Sequence, residues 1–558
     1  MADTIYDVIQ VGYGPVSKMM AIMLARKGHR VAIFERFPEI YPLPRADCID
    51  HEIYRVMHAN GLGSELDEFT SPAPLYRWFN AEWKELLCID WTAESISGGQ
   101  EVNFVHQPSV ERSLDKVVRG TGAISLQKGW EAIDLTQAFD HVELTLRNTG
   151  TKATKTVKAR YVVGCDGANS FIRSKIGSAQ DDLGFEADWL VIDLILKEGI
   201  TVEGLGIPAC GQYCNPVRPT TIVPGGMQGN RVCRRWEFMR LPHESKAEME
   251  KVERVWQLLD GWIKPDQADL VRHTVYTFRS LVATKWRDRR IMVAGDAAHV
   301  MPPFMGQGMC AGMRDAWNLT WKLDLALKGQ AGEALLDTYQ AERAPHVSDV
   351  IRASMFLGKI ICISDPAEAA ARDDAFLTGK VPPPAPFPIL TDGLLDRGTY
   401  GTPKGIAGQL SPHGTIEMAG RQGRFDQVVG LGFVLMMAPG VEKSHLSAAA
   451  RAFLETLGAK IVTLSSNEKT PGSITDVNGK LTDFMAAANV KAMIVRPDFY
   501  LFGAAETSAG INDLVSSLQS QLVRLGFTGR ASETVTIGAA TAPGPLKSLV
   551  SAIGRAFR

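Results

Sequence analysis

Residues 5–35 contain the pattern that most restricts what this chain can fold into. An apolar run at 5–11 precedes a glycine-containing turn at 12–17, and a helical pattern at 18–27 leads to a second apolar run that ends at Glu35. This order of strand, turn, helix and strand is the βαβ unit that binds dinucleotides. Its glycines let a pyrophosphate reach the helix N-terminus, and an acidic residue about 20 positions further on binds ribose hydroxyls. The pattern predicts a dinucleotide site made by Gly12, Gly14, Pro15, Val16, Glu35 and Arg36.

The third glycine of this turn pattern is replaced by Ser17. That position packs the helix against the strand, and serine is small enough to keep the contact. We therefore expect the βαβ unit to form although its sequence departs from the usual glycine pattern.

A second strand–turn–helix pattern lies at residues 291–319. The apolar run 291–294 ends at Gly295-Asp296, which leaves a carboxylate at the carboxyl end of a strand. Pro302-Pro303 then forms a stiff, extended turn, and residues 306–308 open a helix with free amide groups. A carboxylate acceptor beside a positive helix N-terminus suits a polyol-bearing cofactor whose ring acquires negative charge. The alternative is a tight turn that binds nothing.

A third strand pattern ends at 164–170, with Asp166 in a glycine turn and Arg173 in the helix that follows. In this order and spacing, the patterns at 12–17, 164–173 and 295–308 resemble the fingerprints of the single-component (class A) FAD-dependent aromatic hydroxylases. The resemblance covers most of the chain and is greatest to the branch of phenol hydroxylase and 3-(3-hydroxyphenyl)propionate hydroxylase. It implies an α/β fold: a Rossmann-like FAD-binding domain, an inserted β-sheet substrate domain and a C-terminal thioredoxin-like domain.

The resemblance also implies which further residues hold FAD. Arg45 would contact the pyrophosphate, and Gln107 and Arg112 would help to hold the flavin edge and the pyrophosphate. Asp296 would hold the ribityl chain, and the helix N-terminus after it would face the pyrimidine edge of the flavin. The remaining cofactor residues that the resemblance implies are Asp166, Gly295, Pro303, Gly306, Gln307, Gly308 and Met309.

On the substrate side, the resemblance places Pro303 at the border where substrate meets the flavin. It also places acidic and histidine side chains just after the pyrophosphate arginine, and the candidates here are Asp47, Asp50 and His51. For Asp50 the alternative is a helix cap. The β-rich insert walls the pocket in the family. Its candidate wall residues, with plain core packing as the alternative for each, are Trp189, Tyr213, Met227 and Trp236.

The implied reaction is hydroxylation of a phenol ring, at a carbon ortho to its hydroxyl. NADPH or NADH would reduce bound FAD, O₂ would add at the flavin C4a to give a hydroperoxide, and the phenol would take the distal oxygen. A base near the phenol O–H should titrate close to the working pH. The rivals are a flavin-dependent halogenase, an FAD oxidase or disulfide reductase, and a non-enzymatic FAD-binding protein. No WxWxIP stretch and no CxxC pair is present to favour the first two.

Length and composition set the domain count and the compartment. With 558 residues, several domains are expected. We expect the FAD-binding domain at 1–184 and 285–364, the substrate domain at 185–284, a linker at 365–407, the thioredoxin-like domain at 408–540 and a tail at 541–558. The net charge of −2 disfavours nucleic acid as a partner.

The eight cysteines form no CxxC pair, which indicates reduced thiols in a cytoplasmic protein without a bound metal. No signal peptide or membrane-spanning run is expected. The partners we expect are a small phenolic substrate and a second copy of the chain in a homodimer.

Overall fold

The first part of the chain alternates strands with helices, as its sequence pattern predicts. The computed structural model describes residues 5–383, 385–465 and 473–529. The elements of this part are β1 (Ile5–Val11), α1 (Pro15–Arg26), β2 (Val31–Glu35), β3 (Cys48–Asp50), α2 (His51–Ala59), α3 (Ser64–Asp67), β4 (Thr70–Pro72), β5 (Tyr76–Phe79), β6 (Glu85–Ile89), β7 (Val102–Val105), α4 (Gln107–Gly120), β8 (Ile124–Lys128), β9 (Trp130–Gln137), β10 (Val142–Asn148), β11 (Thr154–Gly164) and α5 (Phe171–Lys175).

The middle part is rich in long strands and then in long helices. Its elements are β12 (Gln180–Leu196), α6 (Val202–Leu205), β13 (Gly211–Tyr213), β14 (Thr220–Gln228), β15 (Arg231–Met239), α7 (Lys246–Met249), α8 (Val252–Leu259), β16 (Ala268–Ala283), β17 (Arg287–Asp288), β18 (Ile291–Val293), β19 (His299–Val300), α9 (Gly308–Leu327), α10 (Ala334–Ile361) and α11 (Pro366–Leu377).

The C-terminal part is a smaller α/β unit. Its elements are β20 (Thr415–Met418), β21 (Arg421–Arg424), α12 (Phe425–Val428), β22 (Val434–Met437), α13 (Ala448–Thr456), β23 (Lys460–Ser465), β24 (Ile474–Asp476), α14 (Lys480–Ala487), β25 (Ala492–Val495), β26 (Leu501–Ala505) and α15 (Ile511–Arg524). The predicted tail at 541–558 lies outside the described residues.

The N-terminal strand lies at the centre of the first sheet, whose order is β17-β18-β11-β1-β2-β8, with β10 and β9 joined to β11. β1 runs parallel to β2 and to β11, and β11 runs parallel to β18. The carboxyl ends of these strands therefore meet at one edge, where an open α/β sheet binds its ligands. The turns at that edge contain Gly12, Asp166 and Asp296, so the predicted Rossmann-like fold is confirmed.

A second sheet has the order β19-β16-β12-β15-β14-β13-β5-β6. The sequence assigned this sheet to residues 185–284, but β5, β6 and β19 come from outside that range. The β5–β6 hairpin joins this sheet because β5 pairs in parallel with β13. The hairpin therefore covers an edge of the sheet that would otherwise be exposed.

The C-terminal sheet contains the strand order β23-β22-β25-β26. β22 runs parallel to β23 and antiparallel to β25, and β25 runs antiparallel to β26. α13 connects the parallel pair and α15 follows the last strand. This is the thioredoxin-like arrangement that the sequence resemblance implied.

The segment at 365–407 differs from the predicted linker. It contains α11, whose first turn Asp365 caps, and Arg372 on this helix donates a hydrogen bond to the carbonyl of Cys214 at 2.6 Å. Leu390, Leu394 and Leu395 beyond it are fully buried. The alanines of this segment favour a helix, and the prediction of a linker from its prolines did not take them into account.

All eight cysteines are free thiols. Within the described ranges, no helix combines the length and apolar character that crossing a bilayer requires. The same residues contain no group of three side chains placed to hold a metal ion.

Candidate active site

The turn after β1 contains one glycine in tight contact with neighbouring backbone and one glycine that faces open space. Gly12 has a φ of 97°, and a Cβ there would lie 2.3 Å from the carbonyl oxygen of Cys165. A Cβ on Gly14 would meet no atom within 4 Å. Gly14 is the N-cap of α1, Pro15 follows it, and no side chain caps this helix end. Free backbone N–H groups at a positive helix end, reached through an open cradle, suit a pyrophosphate.

Glu35 lies beside this turn, at the end of β2. Its carboxylate accepts hydrogen bonds from the backbone N–H groups of Tyr13 and Phe37, each at 2.9 Å. These bonds orient the carboxylate beside the turn, at the position where the βαβ pattern predicts an acceptor for ribose hydroxyls. The side chain of Arg36 is exposed and lies over the ring of Phe37 at 4.8 Å, so none of the contacts described for it is to the turn.

The turn after β18 is packed directly against α1. A Cβ on Gly312 in α9 would lie 2.7 Å from Cγ2 of Val16 and 3.0 Å from Cα of Gly295. Asp315, fully buried on the same helix, accepts hydrogen bonds from the N–H of Gly295 at 3.0 Å and from His299 at 2.7 Å. The position of Asp296 relative to the helix N-terminus of α1 is therefore set by close packing.

Arg45 and Asp296, two residues assigned to FAD from the sequence, contact each other at 2.9 Å. Gln107 holds the loop that carries Arg45, because its side-chain oxygen accepts the backbone N–H groups of Arg45 and Ala46 at 2.9 and 2.6 Å. The amide of Gln107 donates to Glu111 at 2.7 Å. Gln107 thus positions Arg45, for which the sequence resemblance implies a contact with the pyrophosphate.

Of the other residues predicted to hold FAD, some make structural contacts and some are exposed. Both oxygens of the Asp166 carboxylate accept bonds from the start of α5, from the Ser170 hydroxyl and the Ile172 N–H, which gives Asp166 a capping role. Arg112 is exposed and donates to Ser109 at 3.0 Å. At the start of α9, a Cβ on Gly306 would lie 2.4 Å from the sulfur of Cys48.

Of the residues that open α9, Pro303, Gly306, Gly308 and Met309 are half-buried and Gln307 is buried. No side chain caps α9. The groove therefore offers two uncapped helix N-termini and the guanidinium of Arg45 for negative groups. It offers the carboxylates of Glu35 and Asp296 for hydroxyls. This donor and acceptor set fits FAD.

Next to this groove is a cavity of about 60 Å³ between the loop at 42–47 and the second sheet. Its lining includes Asp47, Asp193 and Arg235. Asp193 of β12 is directly opposite Arg235 of β15 on one side and Arg272 of β16 on the other. A guanidinium nitrogen of each arginine lies 2.8 Å from the carboxylate of Asp193. A row of alternating charges therefore crosses three buried strands at the cavity wall.

Arg235 links this row to the FAD groove. It donates to the carbonyl oxygen of Arg45 at 2.9 Å and lies 3.7 Å from the carboxylate of Asp47 and 3.8 Å from that of Glu237. One guanidinium thus holds the loop backbone and faces two further carboxylates. Its fork of five N–H donors allows all of these contacts at once.

Burial changes the protonation of the groups around the cavity. Burial raises the pKa of Asp47, although Arg235 opposes the shift. Burial also raises the pKa of Glu237 to about 7, again against the charge of Arg235 and helped by the charges of Asp47 and Asp193. Burial lowers the pKa of His106, another lining residue, to about 4. The site therefore contains carboxyl groups that titrate above the usual range.

Asp50 and His51 occupy different surroundings from Asp47. Asp50 accepts the N–H of Ile53 at 3.0 Å as the N-cap of α2 and forms an ion pair with buried Arg314. Burial alone would raise the pKa of Asp50, but Arg314 and then His51 bring it below its usual value. His51 contacts Ser97 at 3.0 Å and lies 3.5 Å from Glu101. Asp50 therefore caps α2, and neither Asp50 nor His51 lines the cavity that contains Asp47.

The four predicted wall residues do not form one wall. Trp189 packs edge-on against Phe304, with ring centres 5.8 Å apart, so it lies on the side of Pro303. Trp236 belongs to the core on the other face of the sheet, beneath α8. Tyr213 stacks on Trp83 at 4.4 Å and donates to the carbonyl of Ala81. Trp236 thus has the surroundings of a core residue, while Tyr213 is half-buried beside the exposed Trp83. Met227 is half-buried at a bulge in β14.

The sequence reading missed Asp193, Arg235 and Glu237. A signal was available: β15 alternates in strand fashion, and Arg235 and Glu237 are charged residues at every second position of a buried strand. Such charges are rare in a core unless they are paired. Trp236, the aromatic residue between them, faces the opposite side of the sheet and so lies away from the cavity.

The fold and this groove define a class of proteins, the FAD-binding enzymes with a Rossmann-like domain and a sheet over the flavin site. The family model of the FAD binding domain matches residues 5–354, and that of the HcaD C-terminal domain matches residues 408–521. The chain belongs to the single-component FAD-dependent aromatic hydroxylases, as the sequence resemblance implied.

Two curated relatives cover almost the whole chain. A probable NADH-specific resorcinol 4-hydroxylase of Rhodococcus jostii is 34% identical, over 92% of this chain and 94% of its own length. A 3-(3-hydroxy-phenyl)propionate/3-hydroxycinnamic acid hydroxylase of Klebsiella pneumoniae is 29% identical, over 95% of this chain and 97% of its own.

Solved structures show the same fold. An aklavinone-11 hydroxylase in complex with FAD and aklavinone has a TM-score of 0.73 at 22% identity, covering 94% of this chain and 100% of that one. A p-nitrophenol 4-monooxygenase of Pseudomonas putida has a TM-score of 0.61 at 22% identity, covering 67% of this chain and 93% of that one.

Proposed function

We propose that this protein is an FAD-dependent monooxygenase that uses NADH and O₂ to hydroxylate a small phenol. The observation that carries the proposal is Asp47, a carboxylate with a raised pKa in a cavity beside the FAD groove. A carboxylate there can take the proton of a phenol, which makes the ring carbon ortho to the hydroxyl more electron-rich. The match to hydroxylase relatives over 92% of the chain supports the same reaction.

In this proposal the chain holds FAD through the N-terminus of α1, Glu35, Arg45 and Asp296. Bound FAD supplies hydride acceptance from NADH and the activation of O₂. The protein orients it: Gln107 fixes the loop of Arg45, and Asp315 fixes the turn of Asp296. Pro303 borders the flavin on the substrate side.

Asp47 acts as the general base, and Arg235 keeps it in place. Arg235 lies 3.7 Å from its carboxylate and holds the backbone of the adjoining loop. Because burial raises the pKa of Asp47, its basicity lies closer to that of a phenol than an exposed carboxylate's would. Glu237 and Asp193 share the charge of Arg235 and so determine how strongly it stabilises ionised Asp47.

For the substrate we propose a single-ring phenol of the resorcinol type. The cavity of about 60 Å³ holds on the order of four water molecules, which favours one small ring over a fused one. The preference for NADH over NADPH rests on the name of the Rhodococcus jostii relative. The rival functions are an FAD oxidase and a non-enzymatic FAD protein.

The test is the ratio of hydroxylated product to NADH consumed with resorcinol, with hydrogen peroxide assayed alongside. Asp47→Asn should keep FAD and NADH consumption, lower ring hydroxylation by about 10²–10⁴-fold and release more peroxide. His51→Gln is the matched control and should stay coupled. Coupled turnover by Asp47→Asn would remove the assignment of the base. Peroxide as the only product with every phenol offered would favour the oxidase, and no NADH oxidation at all would favour the non-enzymatic protein.

We also propose a homodimer in the cytoplasm. The eight free thiols support a reducing compartment. Light scattering of the purified FAD-loaded protein tests the dimer, since a monomeric mass at micromolar concentration contradicts it.

A further inference from the structure

A larger cavity, of about 430 Å³, lies between the FAD-binding part and the C-terminal domain. The C-terminal end of α1 contributes Arg26 and Lys27, α9 contributes Trp317 and Trp321, and Leu431 comes from the C-terminal domain. Its volume is within the range of about 300–1,000 Å³ that small-molecule sites occupy. Neither the FAD groove nor the Asp47 cavity uses these side chains.

This cavity is separate from the FAD groove. Arg26 is the last residue of α1 and Pro15 is the first. At a rise of about 1.5 Å per residue, the two ends of this helix are about 16 Å apart. The pyrophosphate turn is at the Pro15 end, so a molecule in this cavity would not touch it.

The lining of the cavity includes aromatic surface from two tryptophans. Trp317 is buried, yet its indole N–H has no hydrogen-bond partner in the part of the chain that the structure describes. Trp321, by contrast, donates its indole N–H to Asp498 at 3.1 Å.

The rim of the cavity is positively charged. The side chain of Arg26 is exposed and makes no hydrogen bond or close ion pair within the described residues, although the charge of Glu65 is near enough to act on it. Lys27 contacts Asp324 at 3.3 Å, and that carboxylate also pairs with His29 and Lys328. Lys460 donates to the carbonyl of Leu431, one of the lining residues. A guanidinium fork with unused N–H donors at the entrance favours a carboxylate.

We propose that this cavity is a second binding site, distinct from the active site, for a small aromatic carboxylate. The ring stacks against Trp317 and Trp321, and the carboxylate meets the guanidinium of Arg26 at the rim. Because residues of two domains form the walls, bound ligand links the FAD-binding part to the C-terminal domain.

The experiment uses the full-length, FAD-loaded protein with benzoate as the probe and resorcinol at saturation, so that the substrate site is filled. Calorimetry and tryptophan fluorescence should detect benzoate binding, while acetate and benzyl alcohol bind at least 10-fold more weakly. Arg26→Gln should weaken benzoate binding by about 10–100-fold, the range expected for one charge-assisted hydrogen bond. Ala59→Leu, which places a larger side chain at another lining position, should abolish it.

Arg352→Gln is the matched control, because Arg352 is exposed on α10 and pairs only locally with Asp349. It should bind benzoate like the wild type. FAD content and unfolding temperature verify that each variant is folded. The proposal is overturned if benzoate does not bind, if resorcinol displaces it, or if Arg26→Gln and Ala59→Leu bind it normally.

Discussion

Glu237 shows how neighbouring charges determine the protonation state of a buried residue. It lies in β15, fully enclosed, with Arg235 two positions before it and the charges of Asp47 and Asp193 nearby. The two guanidinium groups of Arg235 and Arg272 face three carboxyl groups. If all five were ionised, the cluster would carry an uncompensated negative charge in a low-dielectric interior. A protonated Glu237 removes it, in accord with its pKa of about 7.

At the residue scale, we predict that Glu237→Gln raises the thermal stability of the protein by an amount that depends on pH. The folded pKa of about 7 lies above the ordinary value of 4.5. The stability that neutral Glu237 contributes is therefore full below about pH 4.5 and is lost as pH rises through 7, by roughly 3 kcal/mol. Glutamine stays neutral, so the variant should unfold a few degrees above wild type at pH 8 and at nearly the same temperature at pH 4.

The measurement is thermal unfolding at the two pH values. Glu186→Gln is the control, since Glu186 is an exposed carboxylate on β12 that contacts Arg279 at 3.2 Å. An equal shift at both pH values would mean that Glu237 is ionised throughout.

At the scale of elements, α9 determines the geometry of the site. Its adjacent residues Arg314 and Asp315 face two different clusters. Arg314 binds Asp50, Glu52 and Gln307, while Asp315 binds the turn of Gly295 and Arg343. Gly312 on the same helix allows α9 to approach Val16 of α1. The distance between α1 and α9 therefore controls the distance between the pyrophosphate turn and Asp296.

We predict that Gly312→Ala weakens FAD binding and lowers stability. The added methyl group would lie 2.7 Å from Val16 Cγ2 and 3.0 Å from the Gly295 backbone, so the helices must separate. Overpacking of this kind costs about 1–3 kcal/mol. Gly120→Ala in α4 is the matched control, because a Cβ there meets nothing within 4 Å. FAD affinity by fluorescence titration checks the prediction, and equal affinities in both variants would contradict it.

At the scale of the whole molecule, buried ion pairs join the C-terminal domain to the rest. Arg55 of α2 holds Asp426 through two hydrogen bonds at 2.7 and 3.0 Å. Arg496 and Lys322 meet the same oxygen of Glu342 at 2.6 and 2.7 Å. Removing the C-terminal domain would leave several buried charges unpaired, which the structure does not favour.

We predict that Asp426→Asn destabilises the protein by about 3–5 kcal/mol, because Arg55 would keep its buried charge without a counterion. Burial opposes ionisation of Asp426, but Arg55 and His413 hold its pKa below the usual range. The stability it contributes is thus present above the ordinary carboxyl pKa and is lost as pH falls. Asp483→Asn, at an exposed position of α14, should be neutral. Denaturant unfolding of both variants is the test.

The sequence was sufficient for the fold and for the turns at the sheet edge, because glycines, prolines and strand-end carboxylates act locally. It was insufficient wherever the partner is distant in sequence. Ser17 was read as a small packing residue, yet its hydroxyl donates to buried Gln10 at 2.9 Å. Asp47, Asp50 and His51 are neighbours in sequence, but only Asp47 lies by the cavity. The three-strand row through Asp193 depends on strand register, which no local pattern specifies.

The charged row across β16, β12 and β15 also has an evolutionary consequence. Loss of Asp193 would leave the guanidinium groups of Arg235 and Arg272 facing each other, so substitutions in this row must occur in compensating pairs. Gln228 and Val271 line the same cavity without belonging to the row. Divergence of substrate range among descendants of this enzyme is therefore expected at such uncharged lining positions, while the row changes slowly and together.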